Sequence, residues 1–148
     1  MERDEIIEGG DGRTYEFSSK GPRGLIRKAV RFQYRPDLGV NVYNLLLGDY
    51  YPETDHIDDS AVSNNGDTKI ILTTVAEAVE TFVNLYPRAI ILIMGNSASR
   101  VRLYQIGITL AWKEIDAKYD VLAKRNNDWE PFKKGVNYEA FLVTKKNT

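Results

Sequence analysis

At 148 residues, with 43% apolar and 28% charged residues, the chain has the make-up of one ordinary globular domain. It has no cysteine, which excludes disulfides, thiolate metal sites and cysteine nucleophiles. Its net charge of −1 excludes a global field that would drive it onto nucleic acid or a membrane surface. No apolar run nears the ~18 residues of a membrane span, and the N-terminal MERDEIIEGGDGR is too acidic and polar for a signal peptide. A cytoplasmic protein without membrane contact is expected.

In chain order, residues 1–13 are charged and glycine-rich and read as a mobile arm. Thr14–Ser18 alternates as a short strand, Lys20–Gly24 turns the chain, and Leu25–Arg35 alternates as a longer strand. One face of that strand carries Ile26, Lys28, Val30, Phe32 and Tyr34 and is the expected core face; the other places Arg27 and Arg31 side by side. After a turn at Pro36–Gly39, Val40–Tyr50 is a third strand. Residues 51–67 are acidic and rich in turn formers, as expected of a long loop. Thr68–Leu72 reads as a short strand or helix approach. Thr74-Val75-Ala76-Glu77 matches a capping box, with Thr74 as the expected N-cap of a helix that Pro87 stops. Val75, Ala78, Val79, Phe82, Val83 and Tyr86 form its apolar face.

Ala89–Met94 is an unbroken apolar run, as suits a central strand buried on both faces. Gly95-Asn96 follows, and Ser97 and Ser99 are candidate N-caps. Val101, Tyr104, Ile108, Ala111, Trp112 and Ile115 recur at helical spacing, which predicts one long helix reaching Tyr119. Leu103, Ile106 and Leu110 widen its apolar sector, so cover on more than one side is expected. Asp120–Lys124 is a strand, Arg125–Asp128 a turn, Trp129–Gly135 irregular and Val136–Lys145 a last strand. The whole predicts a single α+β domain: a mixed, mostly antiparallel sheet of about six strands with two helices packed against it, in the order βββαβαββ.

Arg100 and Arg102 lie near a predicted helix start, where the dipole disfavours cations by roughly 0.3–1 kcal/mol each. A negative group is therefore expected nearby, either an internal carboxylate or the phosphate of an external ligand. Arg27 and Arg31 extend the candidate patch, and Tyr104 or Tyr34 offers a stacking face for nucleic acid. The candidate ligand-binding residues are thus Ser97, Ser99, Arg100, Arg102, Tyr104, Arg27 and Arg31.

Other chemistries fit less well. His56, the single histidine, stands among Asp55, Asp58 and Asp59, but that spacing is no metal signature, and no metal or other cofactor is expected. Ser97 or Ser99 with His56 as base lacks the Gly-x-Ser-x-Gly context of a hydrolase. The stretch Gly95–Arg100 lacks the second glycine and the lysine of a phosphate loop. The strand and capped helix, with Arg102-Leu103-Tyr104 and Gly107, are faintly similar to an acyltransferase of the GNAT type, but the helix runs on too far.

The pattern Tyr43-Asn44-Leu45, Gly48-Asp49, Asn65-Gly66-Asp67, Thr74-Val75, Val79, Phe82, Pro87, Gly95, Arg100-x-Arg102-Leu103-Tyr104, Pro131-Phe132, Tyr138 and Phe141 resembles an uncharacterised bacterial family of small domains of unknown function. The resemblance implies a small cytoplasmic protein and brings no activity with it. The leading functional expectation is a metal-free module that binds a phosphate-bearing ligand or nucleic acid at the 95–102 helix start. A metal-independent ribonuclease of toxin type, using Arg100, Arg102 and Tyr104, is an alternative. So is a protein-interaction module using the 51–67 loop and the basic tail.

Overall fold

The computed structural model describes residues 7–8, 12–60 and 68–146. These fall into two compact units, one within Met1–Gln33 and Leu46–Leu85, the other within Tyr34–Leu45 and Tyr86–Thr148.

In the first unit, β1 (Ile7–Glu8) pairs antiparallel with β2 (Thr14–Gly21), and β2 with β3 (Gly24–Tyr34) through the register Gly21↔Gly24 to Thr14↔Arg31. The alternation of β3 holds in part: Lys28, Val30 and Phe32 of the expected core face are buried, with Arg27 exposed and Arg31 half-exposed on the other, but Ala29 on that other face is fully buried and Tyr34 at the end of the core face is exposed. β4 (Val42–Tyr51) enters this unit with its second half, where it pairs antiparallel with β5 (His56–Asp58). Gly48 permits that approach, because a methyl group there would lie 2.1 Å from the Asp58 carbonyl oxygen and 2.9 Å from Asp59 Cα. β5 breaks up the loop expected over 51–67, whose residues 61–67 lie outside the described residues, as does most of the 1–13 arm.

The helix α1 (Thr68–Leu85) lays Ile71, Val75, Ala78, Val79, Phe82 and Val83 into the core of this unit. Phe82 stacks on Phe32 with ring centroids 4.1 Å apart, and Tyr15 meets Phe32 edge-on at 5.9 Å. The capping box expected at Thr74 is corrected. The helix already runs from Thr68, and Thr74 is an interior residue, 1% exposed, whose hydroxyl donates to the Ile70 carbonyl at 2.8 Å. The apolar run Ile70–Leu72, which suits a strand equally well by composition, is the first turn of the buried face instead.

In the second unit the first half of β4 pairs in parallel with β6 (Ile90–Ile93). β6 then pairs antiparallel with β9 (Ala140–Lys145), β9 with β7 (Tyr119–Arg125), and β7 with β8 (Asp128–Pro131). β7 and β8 are joined through Asn126 and Asn127, both at positive φ (52° and 64°), the geometry of a tight hairpin. β8 replaces the start of the stretch read as irregular. The sheet is mixed and mostly antiparallel, as expected, with more strands than six because β1, β5 and β8 are short.

The long helix expected from Ser97 to Tyr119 is two helices, α2 (Ala98–Leu110) and α3 (Trp112–Lys118), broken at Ala111. The break sets Trp112 against Phe132 at 4.7 Å, within a cluster that includes Tyr138 and Phe141. Tyr104 and Ile108 are the buried residues of α2, whereas Ile106 is 45% and Leu110 76% exposed. The expected cover on more than one side of this helix is therefore absent among the described residues. Among the described residues no helix is long and apolar enough to cross a membrane.

Candidate functional site

The turn from β6 into α2 builds the candidate site. Ser97 adopts an extended backbone (φ −151°, ψ 160°), and its hydroxyl oxygen accepts the Arg100 N–H at 3.2 Å, so it is the N-cap the sequence suggests. Ser99 lies inside the first turn and is exposed. Gly95 sits tightly beneath this turn. A methyl group on it would lie 2.5 Å from Arg100 Cβ, 2.6 Å from Arg100 Cγ and 2.8 Å from the Val101 backbone nitrogen. The two-residue polar link thus folds back on the helix start because position 95 has no side chain.

A cleft of about 700 Å³ opens beside this turn. One wall is the face of α2 that carries Val101, Arg102, Gln105, Ile106, Thr109 and Leu110. The rest is Gly95–Ala98 and the segment Asn137–Glu139. Two bonds from one side chain hold that segment. Gln105 Oε1 accepts the Tyr138 N–H at 3.1 Å, and Gln105 Nε2 donates to the Val136 carbonyl. Further along, the Glu139 N–H donates to the Lys124 carbonyl at 2.8 Å. The Tyr138 hydroxyl donates to Glu130 Oε2 at 2.9 Å and accepts the Lys133 N–H at 3.2 Å. Arg125 Nε donates to Glu130 Oε1 at 2.9 Å. Arg125 first, and then Tyr138, holds the Glu130 carboxyl below its usual range. Burial first, and then Glu130, pushes the Tyr138 phenol above its usual range. The segment that forms this wall is thus tied by hydrogen bonds to Gln105, Lys124, Glu130 and the Lys133 N–H.

Of the residues expected at the site, Ser97 and Arg102 line the cleft; Ser99, Arg100 and Tyr104 do not. Arg102 is exposed and has no ion-pair or hydrogen-bond partner among the described residues. Arg100 is half-buried. Tyr104 is 5% exposed and belongs to the core face of α2, so its ring serves packing and offers no stacking surface.

Arg27 and Arg31 belong to the first unit, and each has a carboxylate partner there. Arg27 pairs with Glu16 at 2.8 Å and lies over the Tyr50 ring, 5.8 Å from its centroid. Arg31 uses its whole fork. Nη2 meets Asp55 Oδ1 at 2.6 Å, Nη1 the Asp55 carbonyl at 3.2 Å, and Nε the Thr14 hydroxyl at 3.1 Å. Tyr50 adds a hydrogen bond to Asp55 at 2.9 Å, and this bond first, then Arg31, lowers the Asp55 carboxyl. His56 stacks on Tyr51, with centroids 6.3 Å apart. Among the described residues no three acidic or histidine side chains are grouped to hold a metal.

The residues that sequence reading missed are Gln105 and the 136–139 segment. Gln105 stood on the polar face of the helix with nothing in its neighbourhood to mark its partner 33 positions away.

Residues 4–146 match the model of a family of unknown function, DUF6934. The chain belongs to DUF6934. Comparison of this DUF6934 chain with curated proteins and with solved structures gives no match. The family assignment agrees with the expectation of a family of unknown function and adds no chemistry, so the cleft is interpreted from its own residues.

Proposed function

We propose that this DUF6934 chain is a binding protein for a phosphate-bearing ligand, held in the cleft at the start of α2. The observation that carries this reading is Arg102, an exposed guanidinium on the cleft wall with no partner among the described residues. Arg102 is the fifth residue of α2, and a helical side chain leans back toward the N-terminal turn, which brings the guanidinium toward the helix start. A guanidinium fork and the polar turn at Asn96-Ser97 together suit a phosphate group.

A small ligand fits better than a nucleic acid. Polyanion binding requires several cations along the backbone track. Arg27 and Arg31 already neutralise Glu16 and Asp55, and the net charge is −1. The ribonuclease alternative draws on Tyr104 as well, and no observation favours it while that ring is buried. A cytoplasmic location is part of the proposal.

The test is titration of the purified protein with inorganic phosphate, methyl phosphate and labelled single-stranded RNA, at about 50 and about 200 mM salt. Arg102→Gln runs in parallel. The expected result is saturable binding of the phosphates that weakens at least about fivefold in Arg102→Gln, with RNA bound no more tightly than methyl phosphate. Absence of phosphate binding, or binding indifferent to Arg102, refutes the proposal.

A further inference from the structure

We infer that the ligand of this cleft is an amphiphile: a phosphomonoester with an aliphatic tail that lies along α2 from Arg102 to Leu110. The inference rests on the phosphate reading above and names the ligand class. It starts from the far end of the same wall. Ile106 is 45% and Leu110 76% exposed, and both line the cleft. They stand four residues apart on one helix face, with Arg102 a further four residues toward the helix start. The row therefore runs from a cationic end to an aliphatic end over about 12 Å at the rise of an α-helix.

The charges set the direction. Arg102 is the cation of the lining, and Glu139 its one carboxylate. An anionic head is drawn to the former and repelled by the latter. The apolar part is aliphatic rather than a nucleobase for a reason visible in the lining. Its one aromatic residue, Tyr138, is 6% exposed, and its hydroxyl is occupied by Glu130 and the Lys133 N–H. A base would find no ring on which to stack, whereas a hydrocarbon chain removes Ile106 and Leu110 from water along with itself. A cleft of about 700 Å³ is ample for a tail of this length. The ligand so placed is a soluble monomer.

The experiment is calorimetric titration with methyl, butyl and octyl phosphate below the micelle concentration, in the full chain and in Leu110→Ser. Leu25→Ser serves as control, since Leu25 is a 63% exposed residue of the other unit. Full burial gains about fourfold in affinity per methylene, so a tail covered on one side gains about twofold. Octyl phosphate should then exceed butyl phosphate by roughly 16-fold. Leu110→Ser should remove most of that gain; Leu25→Ser should change neither the gain nor the binding of methyl phosphate. Glu139→Gln should tighten all three phosphates by a similar small factor.

Equal affinity across the series overturns the amphiphile and leaves the phosphate site standing. No binding of methyl phosphate or of inorganic phosphate overturns the phosphate reading itself. Octylammonium binding as tightly as octyl phosphate overturns the assignment of the head group to Arg102. Binding to vesicles of phosphatidylcholine with phosphatidic acid, without binding of monomeric octyl phosphate, overturns the soluble ligand in favour of a membrane surface.

Discussion

Gly95→Ala tests the geometry on which the cleft depends. Position 95 is not among the residues at positive φ, so alanine has no backbone objection there. Restricting the unfolded chain alone would stabilise the protein by about 0.4–1 kcal/mol. The steric effect has the opposite sign. The new methyl would stand 2.5 and 2.6 Å from Arg100 Cβ and Cγ, and 2.8 Å from the Val101 nitrogen. Those atoms are the root of a side chain and the backbone of the helix, so rotation of a flexible tip gives no relief. Overpacking of this kind costs about 1–3 kcal/mol. The net expectation is a loss of about 1–2 kcal/mol, seen as a fall of about 2–8 °C in Tm for a chain of this size. Thermal unfolding followed by circular dichroism, with urea unfolding as a check on the m-value, measures it. Relief requires the turn to swing away from α2, so phosphate affinity should fall as well. An unchanged or raised Tm would refute the close approach of Gly95 to the helix start, and with it the shape assigned to this end of the cleft.

The remaining predictions probe other parts of the fold. Gly48→Ala should destabilise more than Gly95→Ala, because its methyl meets the backbone of Asp58 and Asp59, at 2.1 Å from the Asp58 carbonyl oxygen. Hydrogen exchange should show β5 released from β4, and retained protection there would contradict the register. Gln105→Ala removes both bonds to the 136–138 backbone and should cost about 1–3 kcal/mol. Its diagnostic sign is faster exchange of the Tyr138 amide, while the amides that pair β7 with β9 stay protected. The Glu130 carboxyl titrates below its unfolded value when folded. Its contribution is therefore present above the unfolded pKa of about 4.3 and is lost as pH falls from there through the folded value. Glu130→Gln should accordingly lower Tm at pH 7 and bring the two proteins together in acid; a constant difference across that range would exclude the linkage. Tyr138 works in the other direction. Its raised pKa gives stability that is complete below about pH 10 and lost as pH climbs through the folded value, a loss that Tyr138→Phe should not show.

Much of the fold was legible from the sequence because local rules specify it. The apolar run of β6 follows from its burial, and the alternation of β3 marks Lys28, Val30 and Phe32 as core though not Ala29. The cap at Ser97 joins atoms three residues apart. The same local rules misled at Thr74, where a Thr-x-x-Glu pattern met the conditions for a cap but the helix had begun six residues earlier. They gave no warning of the break at Ala111, which carries neither proline nor glycine, nor of β8, which exists through its pairing with β7.

The site divides in the same way. Residue types and spacing pointed to the 95–102 turn and to Arg102. The spacing of Tyr104 already put it on the apolar face of the helix with Ile108, and that face is the buried one. Residue types and spacing could not place carboxylates on Arg27 and Arg31, since Glu16 and Asp55 reach them only across strand pairings and a turn. Nor could they supply the second wall of the cleft, which exists because Gln105 grips a segment 31 to 33 residues further along the chain. Periodicity, capping and turn chemistry are near-neighbour interactions and are written in the sequence. Which face is covered, which charge is already paired and which cleft stays open depend on contacts between distant residues, and only the tertiary structure decides them.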